Sequence, residues 1–287
     1  MNKTPTLPTT LRCLCPPWRE RLTRKEQRAL FSRQTNPPIP KRIKFADTTD
    51  LKKVEVAIDS MELMIFDMAG TTICDKDLVT AAFDEALAAG GMVKNSVEYH
   101  KAISCIKESM GASHSDVFQA IFPDQAMARE CERCFDQSYA MAIATNGISE
   151  VQGTTELFDQ LRTRSVPVAL TTGFCDENQR LLISKLNWQN HVCFAVSPSE
   201  HIAGYPHPDM IIAAMHNAGI KDSSVVVTVG DTRSDMVAAK AAGVALAIGV
   251  LYGEHCQEEL IANGADIVVT TVLDLTSLIY AMDIHVE

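Results

Sequence analysis

"IFDMAGTT", residues 65–72, sets one carboxylate, Asp67, at the end of an apolar run and follows it at once with Ala, Gly and two Thr. Such a run, with turn-formers directly behind it, reads as a short buried strand, "LMIFD" (63–67), that delivers its polar residue at the carboxyl end. The pattern recurs in "PVALTT" (167–172), "SVVVTVGD" (224–231), "VALAIGVL" (244–251) and "ADIVVTT" (265–271). Helical stretches lie between these strands. One runs near 154–164, with Leu157 and Leu161 a turn apart. "DENQRLLISKL" takes Asp176 as N-cap, "DMIIAAMHNAG" closes on Gly219, and "DMVAAKAAG" closes on Gly243. Continuous apolar strands alternating with helices predict an α/β fold, a parallel sheet covered on both faces. Sheets of this kind place their sites at the carboxyl ends of the strands.

Three of those ends carry polar residues. The first has Asp67, the second Thr171 and Thr172, and the third "GDTRSD", with Asp231 and Asp235. Each alone is ordinary, because a strand-end Asp usually caps a helix and a lone GDxxxD is common. Together, in this order and each at a strand end, they point to chemistry. Three carboxylates at one sheet edge repel unless a cation joins them, and oxygen ligands of this type suit Mg²⁺. An Asp held beside such an ion can attack phosphorus and form an aspartyl-phosphate. The Gly-Thr-Thr backbone after Asp67 can offer N–H groups to phosphate oxygens, and the Thr172 hydroxyl can do the same.

Composition bounds the alternatives. The 287 residues are 46% apolar, and no stretch is long and uncharged enough for a membrane helix. Nine Cys at irregular spacings argue against a disulfide framework and for a reducing compartment. Cys131 and Cys134 form a lone CxxC in a helical stretch, read as ordinary thiols because no second pair answers it. Residues 1–44 carry eleven Lys/Arg against two Glu, whereas the whole chain is at −10. This head, rich in Pro, Arg and Thr, is expected to be disordered through residue 57, with Met61 a candidate start of the fold. It would leave the protein cytoplasmic, or organellar if it is a targeting peptide. The acidic body opposes nucleic-acid binding. Neither a nucleic acid nor a membrane is expected as a partner, and the oligomeric state stays open, with a dimer among the readings.

"FDMAGTT", "ALTTG", "GYPHPD" and "VGDTRSDMVAAKAAG" resemble the motifs of the haloacid dehalogenase-like (HAD) superfamily. The Asp-x-Ala-Gly-Thr-Thr form is similar to its phosphonatase branch. The resemblance covers roughly residues 61–285. It implies a Rossmann-like core, residues 58–78 and 154–287, with a small inserted α-helical cap at 79–153. "TAAFDEALAAGG" supports the cap, reading as a helix from Thr80 to Gly90. The resemblance also implies roles. Asp67 would be the nucleophile. Asp67, Asp231 and the main-chain carbonyl of Ala69 would hold Mg²⁺, with Asp235 supporting the metal from behind. Thr172 would bind the phosphoryl oxygens.

Two departures bear on the reaction. Phosphatases of the superfamily carry a second Asp two residues after the nucleophile as acid and base, and here that residue is Ala69. The phosphonatase branch dispenses with it because a cap Lys first makes a Schiff base with the substrate. By ungapped alignment of "ESMGASHSD" (108–116) that Lys position is His114, which cannot form an imine; Lys101 and Lys107 would need a shifted register. His114 is therefore a candidate acid/base, with an imidazole expected to titrate near working pH. In "GYPHPD", Tyr205 stands where the family has a Lys or Arg, leaving His207 or Arg233 to compensate. The expectation is Mg²⁺-dependent phosphate release from a small phosphorylated metabolite. The alternatives are C–P cleavage of a phosphonate and a catalytically impaired binding or regulatory protein. Halide displacement is disfavoured, because it gives the metal carboxylates no purpose.

Overall fold

The computed structural model describes residues 43–46 and 49–284. Its main sheet has the strand order β1-β9-β8-β7-β2-β5-β6. These are β1 (Lys44–Phe45), β2 (Leu63–Asp67), β5 (Val168–Thr171), β6 (Phe194–Val196), β7 (Val226–Gly230), β8 (Leu246–Val250) and β9 (Ile267–Val269). All neighbours pair parallel except β1, which runs antiparallel to β9. The chain moves outward from β2 through β5 to β6, then returns to β7 on the other side of β2 and continues to β8 and β9. The direction of winding therefore reverses between β2 and β7. That reversal opens a crevice at the strand ends, where doubly wound sheets bind ligands. The register sets Asp67 beside Thr171, and Phe66 beside Val229.

The β2 side chains show why the sheet is covered on both faces. Met64 and Phe66 enter one apolar layer and Leu63 and Ile65 the other, the period-two alternation of a strand. Phe66 meets Phe158 of the Thr154–Thr163 helix edge to face, at 5.3 Å between ring centres. On the opposite face the Asp209–Ala218 helix supplies Met210, Ile211 and Ala214. Replacing Phe66 by Ala would cost about 3–5 kcal/mol.

A second, two-stranded sheet pairs β3 (Ile73–Cys74) with β4 (Ser149–Glu150). It ties together the points where the chain leaves the core and returns to it. Between them lie four helices, Lys76–Ala89, Val97–Glu108, His114–Ile121 and Gln125–Asn146. The first begins four residues before the expected Thr80 and ends at Gly90 as expected. Their apolar faces bury Phe83, Phe118 and Phe135 against one another. This is the inserted helical layer of an otherwise Rossmann-like α/β fold.

The expected disordered segment 1–57, and a fold starting at Met61, need correction for the residues described. Asp50 caps a helix over Leu51–Ser60, accepting from the Lys53 N–H at 2.7 Å, and Val54, Ala57 and Ile58 are buried. Lys44 and Phe45 extend the sheet against β9. An amphipathic helix hides well in a basic tail, because its buried positions are only one face in three. The rest of the head lies outside the described residues. Cys175, rather than Asp176, takes the N-cap position of the Asp176–Lys185 helix. Cys131 is buried in the long helix and its thiol is pushed up to about 11 by burial, which fits an unreactive thiol. Among the described residues no helix is long and apolar enough to cross a membrane.

Candidate active site

Asp67, Ala69, Gly70, Thr172 and Asp231 line one cavity at the reversal point, together with His114, Phe83 and Phe174. Its volume is about 80 Å³ as seen by the centre of a water molecule, so it takes a few waters or a compact ligand. Strand ends deliver the core residues, and the insertion supplies the opposite wall.

Among the described residues the acidic edge is buried and short of counter-charge. Asp67, Asp231 and Asp235 are all buried. Desolvation, followed by the charges of Asp235 and Asp231, pushes Asp67 well above the usual carboxylate range. Desolvation and Asp235 raise Asp231 in the same way. Neutral donors hold the group in place. Thr71 Oγ1 donates to Asp231 Oδ1 at 2.8 Å, and the Glu254 N–H donates to Asp231 Oδ2 at 3.0 Å. Gly70, at φ +82°, is packed so closely that a Cβ there would lie 2.6 Å from Asp231 Oδ2. Asp235 stands back from the cavity. Its Oδ2 accepts from the N–H of Thr232 at 2.9 Å and from the Thr232 hydroxyl, closing a capping box on the Arg233–Ala242 helix.

Among the described residues no three His, Cys, Asp or Glu side chains stand together as a metal site. A cation here would rest on two carboxylates, a main-chain oxygen and water. That all-oxygen, buried and uncompensated set fits Mg²⁺, which keeps several waters and takes few carboxylates.

The expected phosphate cradle of the Gly-Thr-Thr backbone is not formed by those amides. The Gly70 N–H bonds Ile73 O at 3.0 Å, and the Thr71 and Thr72 N–H groups bond Met68 O at 3.3 and 2.9 Å. The turn satisfies its own donors. The Thr72 hydroxyl also turns back, to Asp67 O at 2.9 Å. Thr172 lines the cavity, and its Oγ1 accepts from the Phe174 N–H at 3.3 Å.

The family model described as haloacid dehalogenase-like hydrolase matches residues 64–248. The chain belongs to that family. It is 24% identical over 216 residues to a phosphoglycolate phosphatase of Pectobacterium atrosepticum, covering 75% of this chain and 91% of the relative. It is 27% identical over 207 residues to a phosphonoacetaldehyde hydrolase of Bacillus cereus, covering 67% and 76%. The fold matches a solved hydrolase structure from Pseudomonas syringae with a TM-score of 0.66 at 22% identity, covering 75% and 96% of the two chains.

Within this HAD-family hydrolase, the insertion docks on the core through its 109–113 loop. Ser234 Oγ donates to Met110 O at 3.0 Å, Ala112 makes a bridge to Tyr205, and a Cβ on Gly173 would lie 2.4 Å from Ala112 O. His114 follows directly, and the structure brings it to the cavity with Asp67. Its ring sits among Phe83, Phe135 and Phe174, with centres 5.4, 4.1 and 5.2 Å away. Its Nδ1 is buried without a partner. Burial pushes the imidazole down to about 3, which corrects the expectation that it titrates near neutrality. Among the described residues no Lys or Arg lines the cavity, and neither does His207. Arg233 instead donates from Nε to His255 Nε2 at 2.8 Å. Lys101 lines a separate surface cleft with Val97 and Glu108. Tyr205 is buried with its hydroxyl 2.8 Å from Thr171 Oγ1, near enough to Asp235 and Asp67 for their charges to raise its pKa further.

The sequence did not single out Asp75 and Glu254, which also line the cavity. The Tyr139 hydroxyl donates to Asp75 Oδ2. Asp75 occupies the N-cap position of the Lys76–Ala89 helix but makes no capping bond with its side chain. The signal in the sequence was weak, a lone Asp before a helix.

Proposed function

We propose that this hydrolase releases phosphate from a compact phosphomonoester, with Asp67 as the nucleophile. The observation that carries the reading is the composition of the cavity. A strand-end nucleophile faces a cavity with an all-oxygen edge, and among the described residues no amine lines that space. Asp67, Asp231 and the Ala69 carbonyl would hold Mg²⁺, with Asp235 acting through its charge. The ion would neutralise the phosphoryl oxygens, which phosphoryl transfer requires more than covalent assistance. Asp67 attacks phosphorus and the Thr172 hydroxyl holds a phosphoryl oxygen. The four helices between β3 and β4 act as a cap that excludes water.

The same composition restricts the leaving part of the substrate. The cap wall offers Val79, Phe83, Ile106, Val117 and a neutral His114. A carboxylate or second phosphate against that wall would lose its hydration and meet no cation among the described residues. The substrate therefore carries a small neutral group. Imine-dependent C–P cleavage finds no amine among the described residues that line the cavity.

The test is phosphate release from a panel of small alkyl phosphates, phosphoglycolate and phosphonoacetaldehyde, with and without Mg²⁺, beside Asp67→Asn. The expected result is metal-dependent release from neutral monoesters, abolished in the variant, with phosphoglycolate at least about tenfold poorer. Release from phosphonoacetaldehyde with an imine trapped by borohydride would overturn the reading. Silence across the panel would favour an impaired HAD-fold protein, with Tyr205→Arg the rescue to try.

A further inference from the structure

The residue two places after the nucleophile is Ala69, so the usual proton carrier is absent, yet an alkoxide leaving group must be protonated and a water later deprotonated. One further carboxylate of the cavity lies close enough to Asp67 for its charge to be felt there, and that is Asp75. It is buried. The ordinary job of an Asp at a helix N-terminus is to bind the free N–H groups of the first turn, and Asp75 does not do so. Its carboxylate turns to the Tyr139 hydroxyl instead. Tyr139 is fully buried, and its ring stacks on Phe174 at 4.5 Å and 14°. Phe174 in turn receives its position from the Thr172 loop, through its N–H to Thr172 Oγ1. The Asp75 carboxylate is thus aimed by the long cap helix and the phosphate-binding loop together.

We propose that Asp75 is the acid and base of this active site, resting on the phosphatase reading above, with Tyr139 as its positioning residue. In the first half, Asp67 Oδ bonds to phosphorus, the P–O bond to the leaving group breaks, and the Asp75 carboxyl proton passes to the departing oxygen. In the second half, water attacks the aspartyl-phosphate phosphorus and gives a proton to the Asp75 carboxylate. The P–O bond to Asp67 then breaks, releasing inorganic phosphate. Both groups return to their starting state. Burial raises the Asp75 carboxyl to about 6, opposed by the Tyr139 hydrogen bond, which suits a group that must both give and take a proton near neutrality. Among the described residues the titratable groups facing it are Tyr139 from the long helix, Asp67 at the end of β2 and Tyr252 after β8.

The experiment compares an alkyl phosphate turned over by the full chain with acetyl phosphate. Acetyl phosphate has a similarly compact neutral leaving part, and its leaving carboxylate needs no proton. In Asp75→Asn, kcat/KM for the alkyl phosphate is expected to fall by about 10²–10³, and that for acetyl phosphate to stay within roughly threefold. Equal loss on both substrates in a folded variant overturns the proposal, as does no loss on either. If Asp75→Asn does not fold, Tyr139→Phe decides. Loss of the donor must move the alkaline limb of kcat/KM for the alkyl phosphate to higher pH, and an unmoved limb overturns the proposal. A wild-type chain silent on both substrates fails the phosphatase reading itself and takes this proposal with it.

Discussion

On the core side of the cavity, Asp67, Asp231 and Asp235 bring three carboxylates to one sheet edge, each raised by burial and two of them by a neighbour's charge. On the cap side, Phe83, Phe135 and Phe174 surround an imidazole that burial keeps neutral. Among the described residues the core wall concentrates uncompensated charge, while the cap wall has almost none. A dianionic phosphate would be repelled by the first wall alone and left unsolvated by the second. The two walls make sense together if a divalent cation completes the core side and a neutral group fills the cap side.

The largest effect expected from this contrast is on stability in the presence of the metal. If the core edge lacks a cation, Mg²⁺ at about 100 times its Kd should stabilise the chain by about 2.7 kcal/mol, read as a rise in the unfolding midpoint. Asp231→Asn should remove most of that gain, while the metal-free variant is no less stable than the metal-free wild type. A midpoint indifferent to Mg²⁺ would break the account of the acidic edge.

The second effect concerns Asp75, whose folded value of about 6 lies above the usual carboxylate value of 3.8. Between these values the folded state binds more protons than the unfolded state, so stability falls as pH rises through this window. Asp75→Asn should therefore unfold at a higher temperature than wild type at pH 8, by the equivalent of roughly 1–3 kcal/mol. The difference should shrink by pH 4. A variant less stable at pH 8 would show that the carboxylate is held by bonds stronger than its desolvation.

The smallest effect sharpens the other wall. His114→Phe should leave monoester turnover within about threefold and change stability by less than about 1 kcal/mol, since it replaces a neutral ring with an orphaned nitrogen by an apolar one. A large loss with a displaced pH profile would return His114 to the acid/base role that its sequence position suggested.

The parts of this picture differ in how far the sequence disclosed them. β2, β5, β7, β8 and β9 are buried on both faces, so their apolar runs stood out, and the polar residues ending them could be read in order. β6 has the same three-residue length as β9 but, unlike it, is only partly buried at Ala195, and the β3–β4 pair is two residues each, too short for any period to register. The Leu51–Ser60 helix was hidden by the basic composition before it. At the site, residue identities located Asp67, Thr172 and Asp231, because the sheet topology gathers strand ends. Hydrogen-bond direction was illegible. The Gly70, Thr71 and Thr72 amides bond within their own turn, and the Asp75 side chain turns away from the helix it precedes. A sequence gives neither vector. The neutrality of His114 was equally hidden, since it depends on rings from Phe83, Phe135 and Phe174, each far from it along the chain.

The central claim is that Asp67 becomes phosphorylated. The measurement is a rapid acid quench of the chain during Mg²⁺-dependent turnover of its best monoester, followed by borohydride reduction and peptide mass spectrometry. An acyl phosphate is reduced to the alcohol, so the account predicts homoserine at position 67 and at no other Asp or Glu. Turnover with an unmodified Asp67, or with the reduced residue at Asp75 or Asp231, would contradict it.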